Sequence, residues 1–337
     1  MTGRERVLRA LRFEKCDRVP RDLWELPGAR KRHGEAIPDL LRRFPVDIVR
    51  PPIDRPSLPH MKGDPAAVGI FVDEWGCEFL NVQEGVIGEV KNPVVKDWRD
   101  LDRVRPPHEL IGKGLEKVNE FCAACREFVL AGWNNPFERL QFLRGSENLY
   151  GDLGDPPAEF FALRDRLHQH FLAELDGLCR TNVDGITFAD DWGSQKTLLI
   201  RPDQWRELFK PLYKDYADVI HQAGKFAFMH SDGHIFDIYQ DLIEIGVDAI
   251  NSQIFCMDIE EIGKRFCGKI TFWGELSRQT IMPHGTEADV RNAVRRVWKN
   301  LSHHGGGVIA QFEYGLDTRP ENAVAAFEEW GKMTAPR

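Results

Sequence analysis

The chain has 337 residues, of which 42% are hydrophobic and 29% are charged, and its formal net charge is −8. This composition is typical of a globular protein and excludes the disordered and fibrous classes. The mildly acidic balance, without a basic stretch, argues against nucleic acid or an anionic membrane as a partner. The sequence contains no apolar run of the roughly 18 residues that span a bilayer, so we expect a cytoplasmic protein.

Residues 1–17 read MTGRERVLRALRFEKCD and predict a charged amphipathic helix rather than a signal peptide. The next elements follow a regular rhythm, in which short β-branched or apolar runs alternate with longer helical patterns. Eight runs are predicted strands, namely 18–24, 46–51, 127–133, 183–189, 225–230, 247–252, 269–273 and 307–311. Helices are predicted between them, for example a single helix over residues 202–222, with Pro202 at a first-turn position, and another from Thr286, which can cap a helix.

Eight strand–helix units predict an α/β fold, a single-domain (β/α)8 barrel over residues 1–337. No linker rich in proline, glycine or serine divides the chain. Residues 68–92 do not fit the rhythm, and they predict an inserted hairpin or lid after the second strand.

Seven cysteines are scattered along the chain, and an odd, scattered set does not suggest a disulfide framework. Cys122 and Cys125 form a C-x-x-C pair, a pattern found in redox and zinc sites. The pair lies within a helical pattern, where residues three apart share one face, and no second pair supplies further ligands. We therefore interpret both cysteines as small packing residues.

Polar side chains follow the carboxyl ends of the predicted strands, where the active sites of such barrels lie. They are Glu25, Asp54, Asn134, Asn135, Asp190, Asp191, His230, Asp232, Asn251, Gln253, Glu275, Gln311 and Glu313. Any one of them could be a cap or turn residue. Because such a residue follows every strand, the sequence predicts a polar pocket at one end of the barrel.

His230 and Asp232 form the sharpest local pattern, because residues two apart on a strand project to the same side. With Glu275 and Glu313 from neighbouring strands, they could hold zinc through nitrogen and oxygen ligands. The same groups could instead transfer protons, or the His–Asp pair could simply fix a loop. In the Asp190-Asp191 pair, the adjacent charges could raise one pKa, or one aspartate could cap a helix.

Seven motifs occur in an order that resembles the uroporphyrinogen decarboxylase superfamily. They are FVDEWGCEF (71–79), LRGSENLYGDL (143–153), FADDWGSQ (188–195), HSDG (230–233), EIGVDAINSQ (244–253), ITFWGELSRQ (270–279) and DTRPEN (317–322). The superfamily contains uroporphyrinogen decarboxylases and corrinoid-dependent methyltransferases. The resemblance implies the barrel fold across nearly the whole chain.

The decarboxylase branch is matched only in part. Its members carry a run resembling M-R-Q-A-G-R-Y on the first strand, since arginine binds the eight carboxylates of the substrate bidentately. Here residues 24–30 read WELPGAR, which places Glu25 near the position of the first guanidinium. Asp54 matches a family aspartate, but Phe312 stands where the family has a histidine. Porphyrinogen decarboxylation is therefore poorly supported.

The methyltransferase branch is similar to this chain in more respects, and its zinc site uses a His-x-Cys after strand five and a cysteine after strand eight. Here His230 is retained, Asp232 takes the first cysteine position, and Phe312, next to Glu313, takes the second. A site made only of nitrogen and oxygen ligands suits the polarisation of an oxygen better than the binding of a thiolate.

The resemblance therefore implies methyl transfer between a small methylated substrate and a corrinoid protein that docks over the barrel mouth. It implies metal or substrate binding by His230, Asp232, Glu275 and Glu313, with zinc as the expected metal, and orientation of the substrate by Asp190 and Asp191. The predicted substrate-binding residues are Glu25, Asp54, Asn134, Asn135, Asn251, Gln253, Trp273 and Gln311.

Two alternatives stay open at this stage. The first is a uroporphyrinogen III decarboxylase-type lyase. The second is a barrel that has lost catalysis and only binds a ligand or a corrinoid partner, which the replacement of both zinc cysteines motivates. A homodimer is also left open.

Overall fold

The computed structural model describes residues 1–334. The strands are β1 (Trp24–Glu25), β2 (Ile48–Val49), β3 (Gly69–Val72), β4 (Glu78–Asn81), β5 (Glu89–Asn92), β6 (Phe128–Asn134), β7 (Gly185–Ala189), β8 (Phe226–Ser231), β9 (Ala249–Ser252), β10 (Thr271–Trp273), β11 (Val308–Ile309) and β12 (Glu313–Tyr314).

The helices surround these strands in the sequence and alternate with them from β6 onward. They are α1 (Gly3–Leu11), α2 (Ala29–His33), α3 (Ala36–Arg43), α4 (Val118–Ala124), α5 (Pro136–Arg144), α6 (Ser146–Leu153), α7 (Ala158–Cys179), α8 (Pro202–Leu208), α9 (Lys210–Gln222), α10 (Tyr239–Glu244), α11 (Ile259–Phe266), α12 (Ile281–His284), α13 (Glu287–Leu301) and α14 (Pro320–Trp330). Short 3-10 helices cover Trp98–Arg103, His108–Leu110, Phe236–Ile238 and Ile254–Cys256. Among residues 1–334, no helix is both long enough and apolar enough to cross a membrane.

Seven strands form a curled parallel sheet in the order β2-β6-β7-β8-β9-β10-β11, and β1 pairs in parallel with β12. Backbone hydrogen bonds join the segment before β1 to both edges of this sheet, next to β11 at one edge and next to β2 at the other. The Asp22 N–H donates to the Ala310 carbonyl at 2.9 Å, and the Asp47 N–H donates to the Arg21 carbonyl at 2.7 Å. The predicted α/β architecture with parallel strands is therefore confirmed.

Every residue of β7 is buried, as is usual for a parallel strand covered on both faces. Helix α1 covers the amino-terminal end of the sheet, where Val7 packs in one cluster with Ile48, Phe128 and Ile309. The Ala10 carbonyl of α1 accepts a hydrogen bond from the Gly307 N–H at 2.9 Å. Because α1 covers the amino-terminal end of the sheet, the polar side chains collect at the carboxyl end.

Two predictions about the helices had different outcomes. The capping by Thr286 is confirmed, since its hydroxyl accepts from the Asp289 N–H at 3.2 Å and the Asp289 carboxylate accepts from the Thr286 N–H at 2.9 Å. The single helix predicted after Pro202 is wrong, because α8 ends at Leu208 and α9 begins at Lys210. Pro211 lacks the N–H that a continuous helix would need at this point.

The positions of Cys122 and Cys125 agree with a role in packing. Cys122 is buried within α4, and Cys125 is the residue that ends this helix. All seven thiols are free, and burial raises the pKa of both Cys122 and Cys125. Neutral thiols of this kind are poor nucleophiles and poor metal ligands.

The segment after β2 contains more structure than the predicted hairpin, because β3, β4 and β5 form a three-stranded antiparallel sheet. We call it the inserted sheet. The turn between β3 and β4 anchors it, since the Asp73 carboxylate accepts from the N–H groups of Trp75 and Cys77 and pairs with Arg139 of α5. Trp75 then packs edge-on against His170 of α7, with ring centroids 4.9 Å apart.

His170 makes the stability of this anchor dependent on pH. Burial lowers the pKa of His170, and the charges of His108, Arg55 and Arg139 lower it further, to about 3. In the unfolded chain a histidine has a pKa of about 6.5. Below that pH the unfolded chain binds a proton that the folded chain does not, so acid favours unfolding.

We therefore expect the free energy of unfolding to fall between pH 6.5 and about 3, with His170 contributing up to about 1.4 kcal/mol per pH unit. Urea denaturation at a series of pH values measures this slope, and His170→Gln, which does not titrate, should reduce it. Equal slopes for the variant and the wild type would contradict the assignment.

Candidate active site

The register of three neighbouring strands brings the site together. Ala189 of β7 pairs with His230 of β8, and His230 pairs with Asn251 of β9. Asp190 and Asp191 follow β7 directly, and Asp232 follows β8. The carboxyl ends of parallel strands share one edge of the sheet, so these side chains lie close together.

His230 is buried and held by both of its ring nitrogens. Its Nδ1 lies 2.6 Å from the Asn251 Oδ1, while its Nε2 lies 3.5 Å from the Asp191 Oδ1 and 3.7 Å from the Asp232 Oδ1. The Asp191 Oδ1 also accepts a hydrogen bond from the Asp232 N–H at 2.9 Å. His230, Asp191 and Asp232 thus form a compact triad.

Asn251 determines which ring nitrogen carries the proton when His230 is neutral, as a metal-binding histidine must be. Its Nδ2 donates to the Trp273 carbonyl at 2.5 Å and to the Gln311 Oε1 at 2.9 Å. Because the amide nitrogen faces two acceptors, the amide oxygen must face His230 and accept from Nδ1–H. The Nε2 atom is therefore directed at the two carboxylates.

The charges of the triad depend on one another. Burial lowers the pKa of His230, but the hydrogen bond to Asp191 and the charges of Asp232 and Asp191 outweigh it and raise this pKa to about 9. Burial acts to raise the pKa of Asp191, yet the hydrogen bond and charge of His230 lower it overall. Without another cation, the triad therefore holds an imidazolium beside carboxylates at neutral pH.

Glu275 and Glu313 form a second group with Asp232, arranged around Arg278. The Arg278 guanidinium donates to both Asp232 and Glu313. Burial, together with the charge of Glu313, raises the pKa of Glu275 well above its ordinary value. Within residues 1–334, the buried Glu275 Oε2 and Asp232 Oδ1 have no hydrogen-bond partner. Arg278 was missed by the sequence analysis, although it lies in the motif ITFWGELSRQ.

The triad fits a small divalent cation. Its three ligand atoms lie within 4.8 Å of one another, as do those of Asp232, Glu275 and Glu313. Bonds of 2.0–2.1 Å in a tetrahedral zinc site separate neighbouring ligands by about 3.3 Å, close to the 3.5 and 3.7 Å measured from Nε2. The unpartnered Asp232 Oδ1 belongs to this set, and the hydrogen bond of Nδ1 to an amide oxygen is a common support for a ligating histidine.

Two tryptophans, Trp24 and Trp133, border His230, and a third, Trp273, packs edge-on against Trp24 with ring centroids 5.0 Å apart. Of the three, only Trp273 was predicted as a site residue. The centroid of the imidazole lies 5.1 Å from that of Trp24 and 5.3 Å from that of Trp133. The buried Asp22 carboxylate accepts from the indole nitrogens of Trp24 at 2.9 Å and Trp273 at 3.0 Å. Trp133 is 45% exposed, which is unusual for so large an apolar side chain beside a buried site.

Asp190 lies outside the triad, although it is adjacent to Asp191 in sequence. It is fully buried, and its carboxylate accepts from the N–H groups of Phe137 at 2.8 Å and Glu138 at 2.7 Å. The Tyr213 hydroxyl donates to it at 2.5 Å. Asp190 thus binds the free N–H groups at the start of α5, a position that favours a carboxylate.

The predicted substrate-binding residues fall into three sets, of which the third, Asn134 and Asn135, lines a cavity. Asn251, Gln311 and Trp273 contact the triad or its support, and the amide oxygen of Gln253 accepts from the Gly233 N–H at 3.2 Å. Glu25, in contrast, forms a bidentate ion pair with Arg30 at 2.5 and 2.7 Å. Asp54 is exposed.

Asn134 and Asn135 line a cavity of about 410 Å³ together with Trp133, Trp75, Arg55 and Glu174. The Arg55 guanidinium pairs with Glu174 at 2.7 Å. Because Trp133 both lines this cavity and stacks on His230, the cavity adjoins the triad. A small polar molecule with an apolar or aromatic part would fit its mixed lining.

Comparison with known proteins identifies the family to which this chain belongs. The family model described as "Uroporphyrinogen decarboxylase (URO-D)" matches residues 67–332. The chain therefore belongs to the uroporphyrinogen decarboxylase family, which confirms the resemblance found in its motifs. No curated protein matches the chain.

Solved structures extend the comparison of the fold. A methyltransferase from Methanosarcina mazei is 15% identical, with a TM-score of 0.71, and the match covers 99% of this chain and 100% of that chain. An endo-1,4-beta-xylanase from Caldicellulosiruptor owensensis is 11% identical, with a TM-score of 0.38, and the match covers 88% of this chain and 85% of that chain. The similarity to the methyltransferase supports the family fold.

We expect Asn251→Ala to weaken the binding of zinc by about 10- to 100-fold, since removal of the partner that orients a ligating histidine has this effect. It should also cost about 1–3 kcal/mol of stability, because buried polar groups lose their partner. Zinc affinity is measured by competition with a chromophoric chelator, and stability by urea denaturation.

Asn322→Ala is the matched control. The buried Asn322 amide donates to the carbonyls of Met282 at 3.0 Å and Gly285 at 2.9 Å, so its loss should lower stability without changing zinc affinity. Equal zinc affinities for Asn251→Ala and the wild type would show that Asn251 does not orient His230 for zinc binding.

Proposed function

We propose that the protein is a metal-dependent methyltransferase that moves a methyl group between a small methylated substrate and a corrinoid protein. The observation that carries the proposal is the triad of His230, Asp191 and Asp232, with Nε2 directed at two carboxylate oxygens 3.5 and 3.7 Å away. Membership of the family and the methyltransferase-like fold support the same conclusion.

In this proposal the His230 Nε2, the Asp191 Oδ1 and the Asp232 Oδ1 hold one divalent cation, with zinc preferred for these ligands. Bound there, the cation would act as a Lewis acid toward the oxygen or nitrogen that carries the methyl group. Asn251 keeps the proton on Nδ1, so that Nε2 stays available as a ligand. Asp190 positions Asp191 by fixing the end of β7 to α5.

Arg278, Glu275 and Glu313 have a supporting role in this proposal. The guanidinium neutralises the Asp232 Oδ2 and Glu313, so the Oδ1 atom of Asp232 remains free for the cation. Glu275 and Glu313 are then further ligands available from the neighbouring strands. This charge balance lets several carboxylates share one buried site.

The substrate would occupy the cavity beside Trp133, with Asn134 and Asn135 as its polar contacts. The exposed ring of Trp133 offers an apolar surface next to the metal ligands. A corrinoid partner would approach from the same carboxyl end of the strands, because α1 covers the other end.

The ion pairs made by the arginines near the site argue against decarboxylation of a porphyrinogen. A substrate with eight carboxylates needs arginines that are free to bind them. Here Arg30 pairs with Glu25, Arg55 pairs with Glu174, and Arg278 pairs with Asp232 and Glu313. These guanidiniums are already neutralised by the protein.

Metal binding is the first test. The purified protein, reconstituted and desalted, should retain one equivalent of zinc by elemental analysis, and His230→Ala should lose it while its circular dichroism stays unchanged. His221→Ala is the matched control, because His221 also pairs with an aspartate, Asp248, at 2.8 Å, but on the surface at the end of α9. Zinc retained by His230→Ala, or lost equally in both variants, would refute the metal site.

The reaction type is tested by two assays on one preparation. The zinc-loaded protein, given cob(I)alamin as the methyl acceptor and a panel of small methoxy and methylamino compounds, should form methylcobalamin with at least one of them. The His230→Ala variant should form none. Incubation with uroporphyrinogen under reducing conditions should yield no products with fewer carboxylates, and stepwise loss of carboxylates at an enzyme-like rate would overturn the proposal.

A further inference from the structure

One arginine near the site leaves most of its hydrogen-bonding capacity unused. Arg50 follows β2 directly, at the carboxyl edge of the sheet, and its side chain is 42% exposed. In the part of the chain that the structure describes, this side chain donates a single hydrogen bond, to the Asp22 Oδ2 at 3.4 Å. Arg30 and Arg55, in contrast, contact glutamates at 2.5 and 2.7 Å. A guanidinium has several N–H donors, so the charge of Arg50 is only weakly compensated.

Asp22 cannot neutralise Arg50 fully, because the same carboxylate oxygen serves two other donors. The Asp22 Oδ2 accepts from the indole nitrogens of Trp24 at 2.9 Å and Trp273 at 3.0 Å. Both distances are shorter than its contact with Arg50, and an arginine–carboxylate pair normally has a distance of about 2.7–2.9 Å. The remaining N–H groups of the exposed guanidinium are therefore available to a ligand.

Two tryptophans hold the Arg50 guanidinium near the triad. The Arg50 Cζ lies 5.7 Å from the centroid of the Trp24 ring and 5.9 Å from that of Trp273, distances at which an aromatic ring attracts a cation. The centroid of the Trp24 ring lies 5.1 Å from that of the His230 imidazole. The guanidinium is therefore at most about 11 Å from the imidazole, and a small molecule can contact both.

The loop that begins at Arg50 also forms part of the cavity beside the triad. Ile53 of this loop lines the cavity of about 410 Å³, as does Trp133. Trp133 packs edge-on against Trp24, with ring centroids 5.5 Å apart. The guanidinium, the cavity wall and the triad are therefore neighbours, because Trp24 contacts Arg50, Trp133 and His230.

We propose that Arg50 binds a carboxylate of the substrate, and that the substrate is a small acid with its methyl group on an oxygen or nitrogen atom. A planar guanidinium binds a carboxylate through two parallel hydrogen bonds. A phosphate would bring a second negative charge toward the carboxylates around His230, and their repulsion disfavours it. Arg50 thus selects the substrate of the methyl transfer proposed above, on which this assignment rests.

Equilibrium binding of matched acids and amides tests the role of Arg50 without any reaction. The probes are methoxyacetate and 4-methoxybenzoate, each compared with its neutral amide, and calorimetry on the zinc-loaded protein gives the dissociation constants. The wild type should bind at least one acid about 10- to 100-fold more tightly than the corresponding amide, because hydrogen bonds to charged groups stabilise a complex by about this factor.

Three variants show whether this preference comes from Arg50. Arg50→Gln should weaken the binding of the acid by about 10- to 100-fold and leave the binding of the amide unchanged, because glutamine is polar but has no charge. Arg50→Lys keeps the charge without the planar fork, so it should retain part of the preference. Arg126→Gln is the matched control, because Arg126 is exposed and lies before β6, at the amino end of the sheet. It should bind the probes like the wild type.

Three results would overturn the assignment. They are a wild type without preference for either acid, an unchanged affinity of Arg50→Gln for the acid, and an equal loss of affinity for acid and amide, which would show that Arg50 only supports Asp22 and the tryptophans.

Formation of methylcobalamin separates this assignment from the proposed function. Equal rates of methyl transfer from the acids and the amides would refute the role of Arg50 and leave the methyltransferase proposal intact. Binding of the acids that depends on Arg50, without methylcobalamin from any compound of the panel, would support the carboxylate site and refute the methyl transfer.

Discussion

Compensation of buried negative charge is the constraint on which the rest of the site depends. Asp191, Asp232, Glu275 and Glu313 converge at the site, where the two aspartates are half-buried and the two glutamates are buried. An uncompensated carboxylate in such a place would be destabilising. The protein supplies two cationic side chains against these four, His230 and Arg278. Burial also raises the pKa of Glu275, which favours its neutral form. A bound divalent cation would complete the same compensation.

The two cationic side chains divide the carboxylates into two groups that share Asp232. One oxygen of Asp232 receives the Arg278 guanidinium, and the other lies near the His230 Nε2 without a hydrogen-bond partner within residues 1–334. Neutral groups fix the orientation of the His230 ring. Asn251 accepts from this ring, and Asn251 is itself held by the Trp273 carbonyl and by Gln311. The proposed metal site thus has nitrogen and oxygen ligands where the sequence resemblance leads one to expect sulfur, and such a site would favour hard substrate atoms such as oxygen.

The ends of the strands, and the polar residues that follow them, could be predicted from the sequence. The alternation of apolar runs with helical patterns indicates parallel strands directly. His230, Asp232 and Asn251 lie at the site for this reason. The sequence could not tell Asp190 from Asp191, because their different roles depend on the N-terminus of α5 and on Tyr213, which are distant in sequence. Arg278 was missed because an arginine in a loop carries no periodic signal. Asp22, Trp24 and Trp133 were missed because their contacts at the site join segments that are distant in the sequence. The three-stranded form of the inserted sheet was missed because residues 68–92 do not follow the strand–helix rhythm from which the other strands were predicted.

The central claim is that one cation is held by His230, Asp191 and Asp232 rather than by the neighbouring group around Arg278. Anomalous diffraction from crystals of the zinc-loaded protein, measured on both sides of the zinc absorption edge, tests this claim most directly. The account predicts a single anomalous peak about 2.0–2.2 Å from the His230 Nε2 and from one oxygen each of Asp191 and Asp232. A peak among Asp232, Glu275 and Glu313 with Arg278 displaced, or no peak within bonding distance of His230, would contradict it.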